Sequence, residues 1–177
     1  MKIVEPICLN GQLILLSPFL VTDIADDYIS WLNNLEVVRY SNQRFLNHTR
    51  ESCIAYLESF SSNDNFFLAI RARDNNHMIG TMTAYFSPFH GTVDIGLMIG
   101  DVKQWGKGLG LDAWKTLMDY LLSECEVRKI TGGTLRSNIG MIRIMERSGM
   151  HLEAVREKQQ LFENEELDEL YFAKFCN

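Results

Sequence analysis

The stretch that most constrains this chain runs from Gly91 to Trp114 and reads GTVDIGLMIGDVKQWGKGLGLDAW. An apolar strand, Val93 to Ile99, passes through a polar link into the turn Trp105-Gly106-Lys107-Gly108-Leu109-Gly110, and that turn opens directly into an amphipathic helix. Glycines at 106, 108 and 110 leave the backbone N–H groups without covering side chains. Such groups at a helix N-terminus form a ready anion site, and pyrophosphate is the anion that most often uses it.

Spacing separates the ligand classes that use such a turn. A nucleoside triphosphate loop requires G-x-x-x-x-G-K-[ST]; here Asp101 stands at the first glycine and Gly108 follows Gly106-Lys107. The dinucleotide fingerprint G-x-G-x-x-G/A is formally met by Gly108, Gly110 and Ala113. It should follow a strand immediately and open a βαβ unit within a larger domain. In this chain the strand ends several residues too early, and too little sequence remains for a second nucleotide half.

The third class is coenzyme A. Trp105 to Gly110 resembles the acyl-CoA pyrophosphate loop of the GNAT superfamily of N-acetyltransferases, [RQ]-x-x-G-x-[GA] followed by a helix. Gly108 and Gly110 fall on its two small positions, and Trp105 stands where Arg or Gln is usual. The version W-G-K-G-[YL]-[GA] is similar to the branch containing ribosomal-protein N-terminal, polyamine and amino-sugar acetyltransferases. Two flanking segments agree. Trp31-Leu32-Asn33-Asn34 and Glu36-Val37-Val38-Arg39-Tyr40 resemble W-L-N-D-x-E-V-x-R-Y, which borders the acceptor pocket in that family. Asn138 to Met150 resembles N-x-x-S-x-R-x-[YLM]-E-K-x-G-[FM], which lies against pantetheine and adenosine. The resemblance covers most of the chain from about Leu13 onward.

It implies an α/β fold: a mixed, mostly antiparallel sheet flanked by helices, with a splayed strand pair that binds acyl-CoA. The cofactor-binding residues so implied are Trp105, Gly106, Lys107, Gly108, Leu109, Gly110, Leu111 and Asn138, with Leu97, Met98, Ile99 and Gly100 beside pantetheine.

Taken in order, Gln12 to Leu16 suits a first strand, closed by Ser17-Pro18. Thr22 is a candidate cap for a helix whose apolar face is Ile24, Tyr28, Trp31, Leu32 and Leu35, with Asp23, Asp26 and Asp27 in its first turn. Thr49 caps a second helix with Ile54, Leu57 and Phe60 inward. Phe66 to Arg73 and Met78 to Phe86 form a hairpin around Asp74-Asn75-Asn76-His77, residues that tolerate positive φ. After the glycine turn, Trp114, Leu117, Met118, Leu121 and Leu122 place an apolar helix face on the sheet. Lys129-Ile130-Thr131 is the next strand, and Asn138 caps a helix ending at Gly149. A last hairpin pairs Leu152 to Phe162 with Leu167 to Phe175. No repeat or linker interrupts this run, so residues 1–177 read as a single acyltransferase domain.

Composition narrows the partners. At 46% hydrophobic and 23% charged residues, 177 residues can bury a core without staples. A net charge of -6 argues against a nucleic-acid partner and mildly favours a cationic or neutral substrate, although it also reads as ordinary solubility charge. Cys8, Cys53, Cys125 and Cys176 are scattered and near no His cluster, so neither a metal nor a disulfide frame is expected. No run has the length of a membrane span or the pattern of a signal peptide, and a reduced cytoplasmic location is the default expectation. Assembly as a homodimer is left open.

The reaction implied by the resemblance moves an acetyl group from a thioester to a primary amine: the carbon–sulfur bond breaks, a carbon–nitrogen bond forms, and the amine gives up a proton. The thioester oxygen gains charge that a preorganised backbone N–H stabilises; by resemblance that donor is Met98. The amine must arrive neutral. A lysine-like amine costs about 4 kcal/mol to deprotonate near pH 7.5, an α-amino group well under about 1 kcal/mol. Asp94 is the positional candidate for a base, four residues before Met98 and so on the same strand face. The competing reading, which the residue type favours, is a hydrogen-bonded structural carboxylate or a solvent-facing charge. His90 and Glu36 are weaker candidates.

Met145 replaces a Tyr that in many relatives protonates the departing thiolate, and Met141 replaces a common Ser. A thiol pKa of about 8.5 makes the thiolate a tolerable leaving group without an acid. The replacement therefore favours acceptors of low pKa, a protein N-terminus or an amino sugar or other small-molecule amine. It also keeps open a different class, a catalytically inactive CoA-binding regulatory module. Lys107, Arg136 and Arg143 are candidates to meet phosphate oxygens, and Tyr40, Tyr85, Phe86, Phe162 and Tyr171 to line an acceptor pocket.

Overall fold

The computed structural model describes residues 3 and 8–176. Its eight strands are β1 (Leu9–Asn10), β2 (Ile14–Pro18), β3 (Phe66–Ala72), β4 (Met78–Ser87), β5 (Thr92–Ile99), β6 (Lys129–Leu135), β7 (His151–Phe162) and β8 (Glu165–Phe175). They form one sheet in the order β1-β2-β3-β4-β5-β6-β8-β7. Every pairing is antiparallel except β5 with β6. That parallel pair needs a crossover, supplied by helix α3 (Leu109–Ser123). The mixed, mostly antiparallel sheet flanked by helices is the architecture read from the sequence.

The sheet's two faces carry separate cores. On one, α3 and helix α4 (Ile139–Arg147) cover Ile14, Leu16, Leu68, Ile70, Met82 and Ile95, with Trp114, Leu117 and Leu121 of α3 buried among them. On the other, helices α1 (Asp26–Leu32) and α2 (Arg50–Glu58) bring Tyr28, Trp31 and Cys53 onto Phe67 and Ala69. Each element thus buries one apolar stripe against a neighbouring layer. Helices α1 and α2 pack on the β3 half, where their core partners Phe67 and Ala69 lie.

The α2 and α4 caps fall where the sequence places them. Thr49 accepts from Ser52 N–H, and Asn138 from Met141 N–H at 3.2 Å. The β3–β4 turn carries positive φ at Asn76, and the β7–β8 turn at Glu163 and Asn164. Thr22 does not cap α1. It lies inside a short 3-10 turn, Val21–Asp23, and α1 begins only at Asp26. The cause is tertiary. Asp23 accepts from Leu20 N–H at 2.9 Å, which closes the 3-10 turn, and pairs with Arg71 of β3 at 2.5 Å, so its carboxylate is committed to that turn and to the sheet and not to the start of α1. Leu35, expected on the apolar face of α1, lies beyond the helix and is 68% exposed.

Among the described residues no helix is long and apolar enough to cross a membrane.

Candidate functional site

The site begins where β5 and β6 part. Their pairing runs from Thr92 opposite Lys129 to Asp94 opposite Thr131 and then stops, while β5 stays paired with β4 as far as Ile99 opposite Gly80. One edge of β5 is therefore free from about Leu97 on. Which residues use that edge follows from the ladder. Gly100 N–H donates to the Ile79 carbonyl, which makes that pair, and every second pair before it, the hydrogen-bonded one. The backbone groups of Met98 and Gly96 accordingly face β4. Those of Ile95, Leu97 and Ile99 face the cleft, and the Ile99 carbonyl accepts from Trp105 Nε1 at 2.8 Å.

The glycine turn closes one end of this cleft. Gly106 and Gly108 have φ of 75° and 85°, a conformation that L side chains rarely adopt. A Cβ on Gly106 would meet nothing within 4 Å. Gly108 is the N-cap of α3, and the first helical bond runs from Asp112 N–H to the Gly108 carbonyl. The N–H groups of Leu109, Gly110 and Leu111 therefore precede the helical ladder and point out of the helix end. Gly110 sits in the cleft wall, where a Cβ would lie 3.2 Å from Ile144 Cδ1 and 3.4 Å from Leu97 Cδ2. Asp112 fixes the helix end in place: its carboxylate accepts from the N–H groups of Gln12, Leu13 and Ile14 at 3.2, 2.7 and 3.1 Å.

A cavity of about 910 Å³ joins this cleft to the α1/α2 face of the sheet. Leu97, Met98, Ile99, Trp105, Gly106, Gly108, Leu109, Gly110, Leu111 and Asn138, singled out from sequence, all line it, as do Glu36, Arg39, Tyr40, Tyr85 and Arg143. Gly100, Lys107 and Asp94 are absent from its lining. Gly100 is buried under the Trp31 indole, which a side chain there would strike. Lys107 Nζ donates to Gln104 Oε1 at 3.1 Å. Arg136 is paired with Asp168 at 2.9 Å and His90 lies in the turn Pro88–His90, neither in the cavity lining. Phe86 packs on Phe66, Phe162 stacks on Tyr40, and Tyr171 donates to Glu169 at 3.0 Å. Met145 is fully buried in the α3/α4 core.

Asp94 stands beside the cavity. It lies on the α1/α2 face of β5, one step along that face from Gly96 and next to Tyr85 of β4. Its Oδ2 accepts from Thr131 Oγ1 at 2.7 Å. Asp94 is exposed at the surface, yet the sheet around it partly desolvates its carboxyl and raises it above the ordinary range; the Thr131 hydrogen bond pulls it partly back, and the Glu169 charge adds to the rise.

Sequence reasoning missed part of the cavity wall on the α1/α2 side. Thr81 and Thr83 of β4 alternate with Met82 and Ala84, which face the core, and a polar period of two was the signal available. Tyr28 of α1 and Tyr56 of α2 arrive from helices and carried no such signal; Tyr56 and Tyr85 hydroxyls meet at 2.7 Å. Burial pushes both Tyr28 and Tyr56 far up, so their hydroxyls stay protonated. Opposite them, Tyr40 stacks on Phe162 and Arg39 bridges to Glu163 at 2.9 Å, tying the 34–46 loop to the β7–β8 turn.

Comparison with known proteins gives similarities of three kinds. The acetyltransferase (GNAT) domain family matches residues 14–151. YjcK, a probable N-acetyltransferase of Bacillus subtilis (strain 168), is 24% identical over 159 residues, 85% of this chain and 87% of the relative. Two solved structures share the fold at TM-score 0.82. One is RimL, a ribosomal L7/L12 α-N-protein acetyltransferase in complex with coenzyme A, at 12% identity over 96% of this chain and 98% of its own. The other is spermidine N-acetyltransferase from Vibrio cholerae in complex with CoA and spermine, at 14% identity over 94% and 97%.

Proposed function

Because this chain belongs to the GNAT acetyltransferase family, we propose that it transfers acetyl from acetyl-CoA directly to a primary amine of low pKa, an amino sugar or other small monoamine, or a protein N-terminus. The observation that carries this is the row of N–H groups from Leu109 to Leu111, unspent by the helix and set behind two left-handed glycines at one end of a cavity that continues onto the α1/α2 face.

Those N–H groups fit a diphosphate by charge and by space, since no side chain stands over Gly106. Arg143 and Arg147 line the same cavity and would add positive charge. The free edge of β5 at Leu97 and Ile99 would hold the pantetheine arm. When bound, the cofactor supplies an activated thioester and a thiol leaving group. The proposed oxyanion donor is Leu97 N–H and not Met98, because Met98 turns its backbone groups to β4 and Leu97 N–H is the first on the cleft edge beyond the paired stretch. Met98 lines the acceptor side with its side chain.

The acceptor side argues for a weakly basic amine. Glu36 is the only carboxylate residue lining the cavity among the described residues, and the tyrosine hydroxyls are neutral. Such surroundings disfavour an ammonium ion and leave nothing to pair with the further charges of a polyamine. Asp94, beside Gly96, is the nearest carboxyl on the strand for taking the amine's proton. Met145 supplies no proton to the cleft, and none is needed for a thiolate.

The test is acetyl-CoA-dependent thiol release over a panel of amino sugars, peptides with free N-termini, lysine and spermidine. Amino sugars or N-terminal peptides are expected to lead, with spermidine and lysine at least about tenfold lower in kcat/KM. Leading activity on spermidine would defeat the acceptor assignment. Absence of amine-dependent release on the whole panel would defeat the transferase reading.

A further inference from the structure

The free edge of β5 raises a question of stability before any ligand arrives. Inward-facing backbone carbonyls on an unpaired strand edge need donors. The Ile99 carbonyl has one, and it is a side chain: the indole N–H of Trp105, 2.8 Å away. Trp105 follows the 3-10 turn Val102–Gln104 and immediately precedes the glycine turn. The short path between Ile99 and Trp105 is itself braced. Asp101 accepts from Lys103 N–H at 3.1 Å and from Gln104 Nε2 at 3.3 Å, and Trp105 N–H donates to the Val102 carbonyl at 3.2 Å. The indole lines the cavity and is 43% exposed, so it is not a core residue that happens to find a partner.

We infer that Trp105 is a positioning residue for the acyl-CoA cleft: its indole N–H takes the Ile99 carbonyl and pins the glycine turn to the end of β5. The inference rests on the acetyl-CoA reading above and adds a role to a position where Arg or Gln is usual. With the Ile99 carbonyl occupied, an arriving pantetheine amide finds its free acceptor at Leu97. The same bond sets the distance between that acceptor and the N–H groups of Leu109 to Leu111. A displaced turn would leave one end of the cofactor unheld, which affects binding more than the chemical step.

The test compares wild type, Trp105→Phe and Trp105→Gln by calorimetric titration with coenzyme A, acetyl-CoA kinetics on the best amine found, and thermal unfolding. Trp105→Phe keeps a ring and loses the N–H. It is expected to raise the coenzyme A Kd and the acetyl-CoA KM about five- to tenfold, the worth of one hydrogen bond, with kcat within about twofold. Trp105→Gln, which restores an N–H donor, is expected to recover Kd and KM to within about threefold of wild type. A Trp105→Phe protein that binds like wild type overturns the inference, and so does a Trp105→Gln protein as weak as Trp105→Phe, since the ring and not its N–H would then matter. Unfolding of both variants would also overturn it by making the indole a structural strut. Wild-type protein that binds no coenzyme A would instead defeat the acetyl-CoA reading itself.

Discussion

Replacing Gly108 by alanine tests the backbone's part in the proposed hold on coenzyme A. Gly108 has φ 85° and ψ -5° and caps α3. The nearest atom to a new Cβ would be Leu13 Cδ1 at 3.8 Å, an ordinary contact, so the methyl group meets no obstacle. The cost is conformational, about 1–2 kcal/mol for an L-residue in the left-handed region. A chain that rotates to relieve this strain turns the N–H groups of Leu109 to Leu111 away from their common focus. Loss of one charge-assisted hydrogen bond, about 1.5–3 kcal/mol, weakens coenzyme A binding by about 10- to 150-fold. Gly110→Ala is the control. Gly110 has no positive φ, and the nearest atoms to its Cβ would be side-chain carbons of Ile144, Leu97 and Ile99 at 3.2 to 3.6 Å. Helix propensity favours the alanine by up to about 1 kcal/mol. Urea unfolding and calorimetric titration should therefore place Gly108→Ala below wild type in both stability and affinity. Gly110→Ala should lie within about 1 kcal/mol of wild type in stability and about fivefold in Kd. Wild-type affinity in Gly108→Ala, or greater damage from Gly110→Ala, would refute the reasoning.

Other expectations follow from side chains around the site. Asp112→Ala strips three N–H groups of their acceptor, one of them on Ile14, which is fully buried; a loss of about 2–3 kcal/mol in urea unfolding is expected, together with weaker coenzyme A binding. Asp94→Asn keeps the shape and can still accept from Thr131. Because the folded-state pKa of Asp94 is raised, the native protein binds its proton more tightly than the unfolded chain, and stability from this group falls as pH rises from the ordinary carboxylate value through the raised one. The Asn variant should therefore equal or exceed wild-type stability at pH 7 in thermal melts, with the difference vanishing once both states are protonated. If Asp94 is the base, kcat/KM of that variant falls about 100-fold or more, and the acid limb of the wild-type pH profile disappears with it. Unchanged activity would return Asp94 to a structural role.

What could be read from the sequence was local. The glycine turn, the Asn138 and Thr49 caps and the Asn76 hairpin are each decided within a few residues, by φ preference or by a side chain reaching its own helix end. Thr22 failed as a cap because Asp23 is claimed by Arg71, 48 positions away, and no local pattern announces that bond. Resemblance points to Met98 as the donor on β5, and spacing along a strand says which residues share a face. It does not say which backbone edge each presents; that parity comes from the Gly100–Ile79 bond to the neighbouring strand. Tyr28 and Tyr56 likewise enter the cavity only through the packing of α1 and α2 over Phe67. Thr81 and Thr83 are the exception, since their alternation with Met82 and Ala84 is visible in the sequence.

The stack of Tyr40 on Phe162 and the bridge from Arg39 to Glu163 join segments 124 positions apart. This outer wall of the proposed acceptor chamber is fastened by a few side chains on loops, away from the glycine turn and the free strand edge. Substitution there can reshape what enters without disturbing the cofactor half. Two proteins that share the cradle can thus part company over their acceptors, and a newcomer's preference is to be sought in residues 36–44 and 161–166 before the cradle.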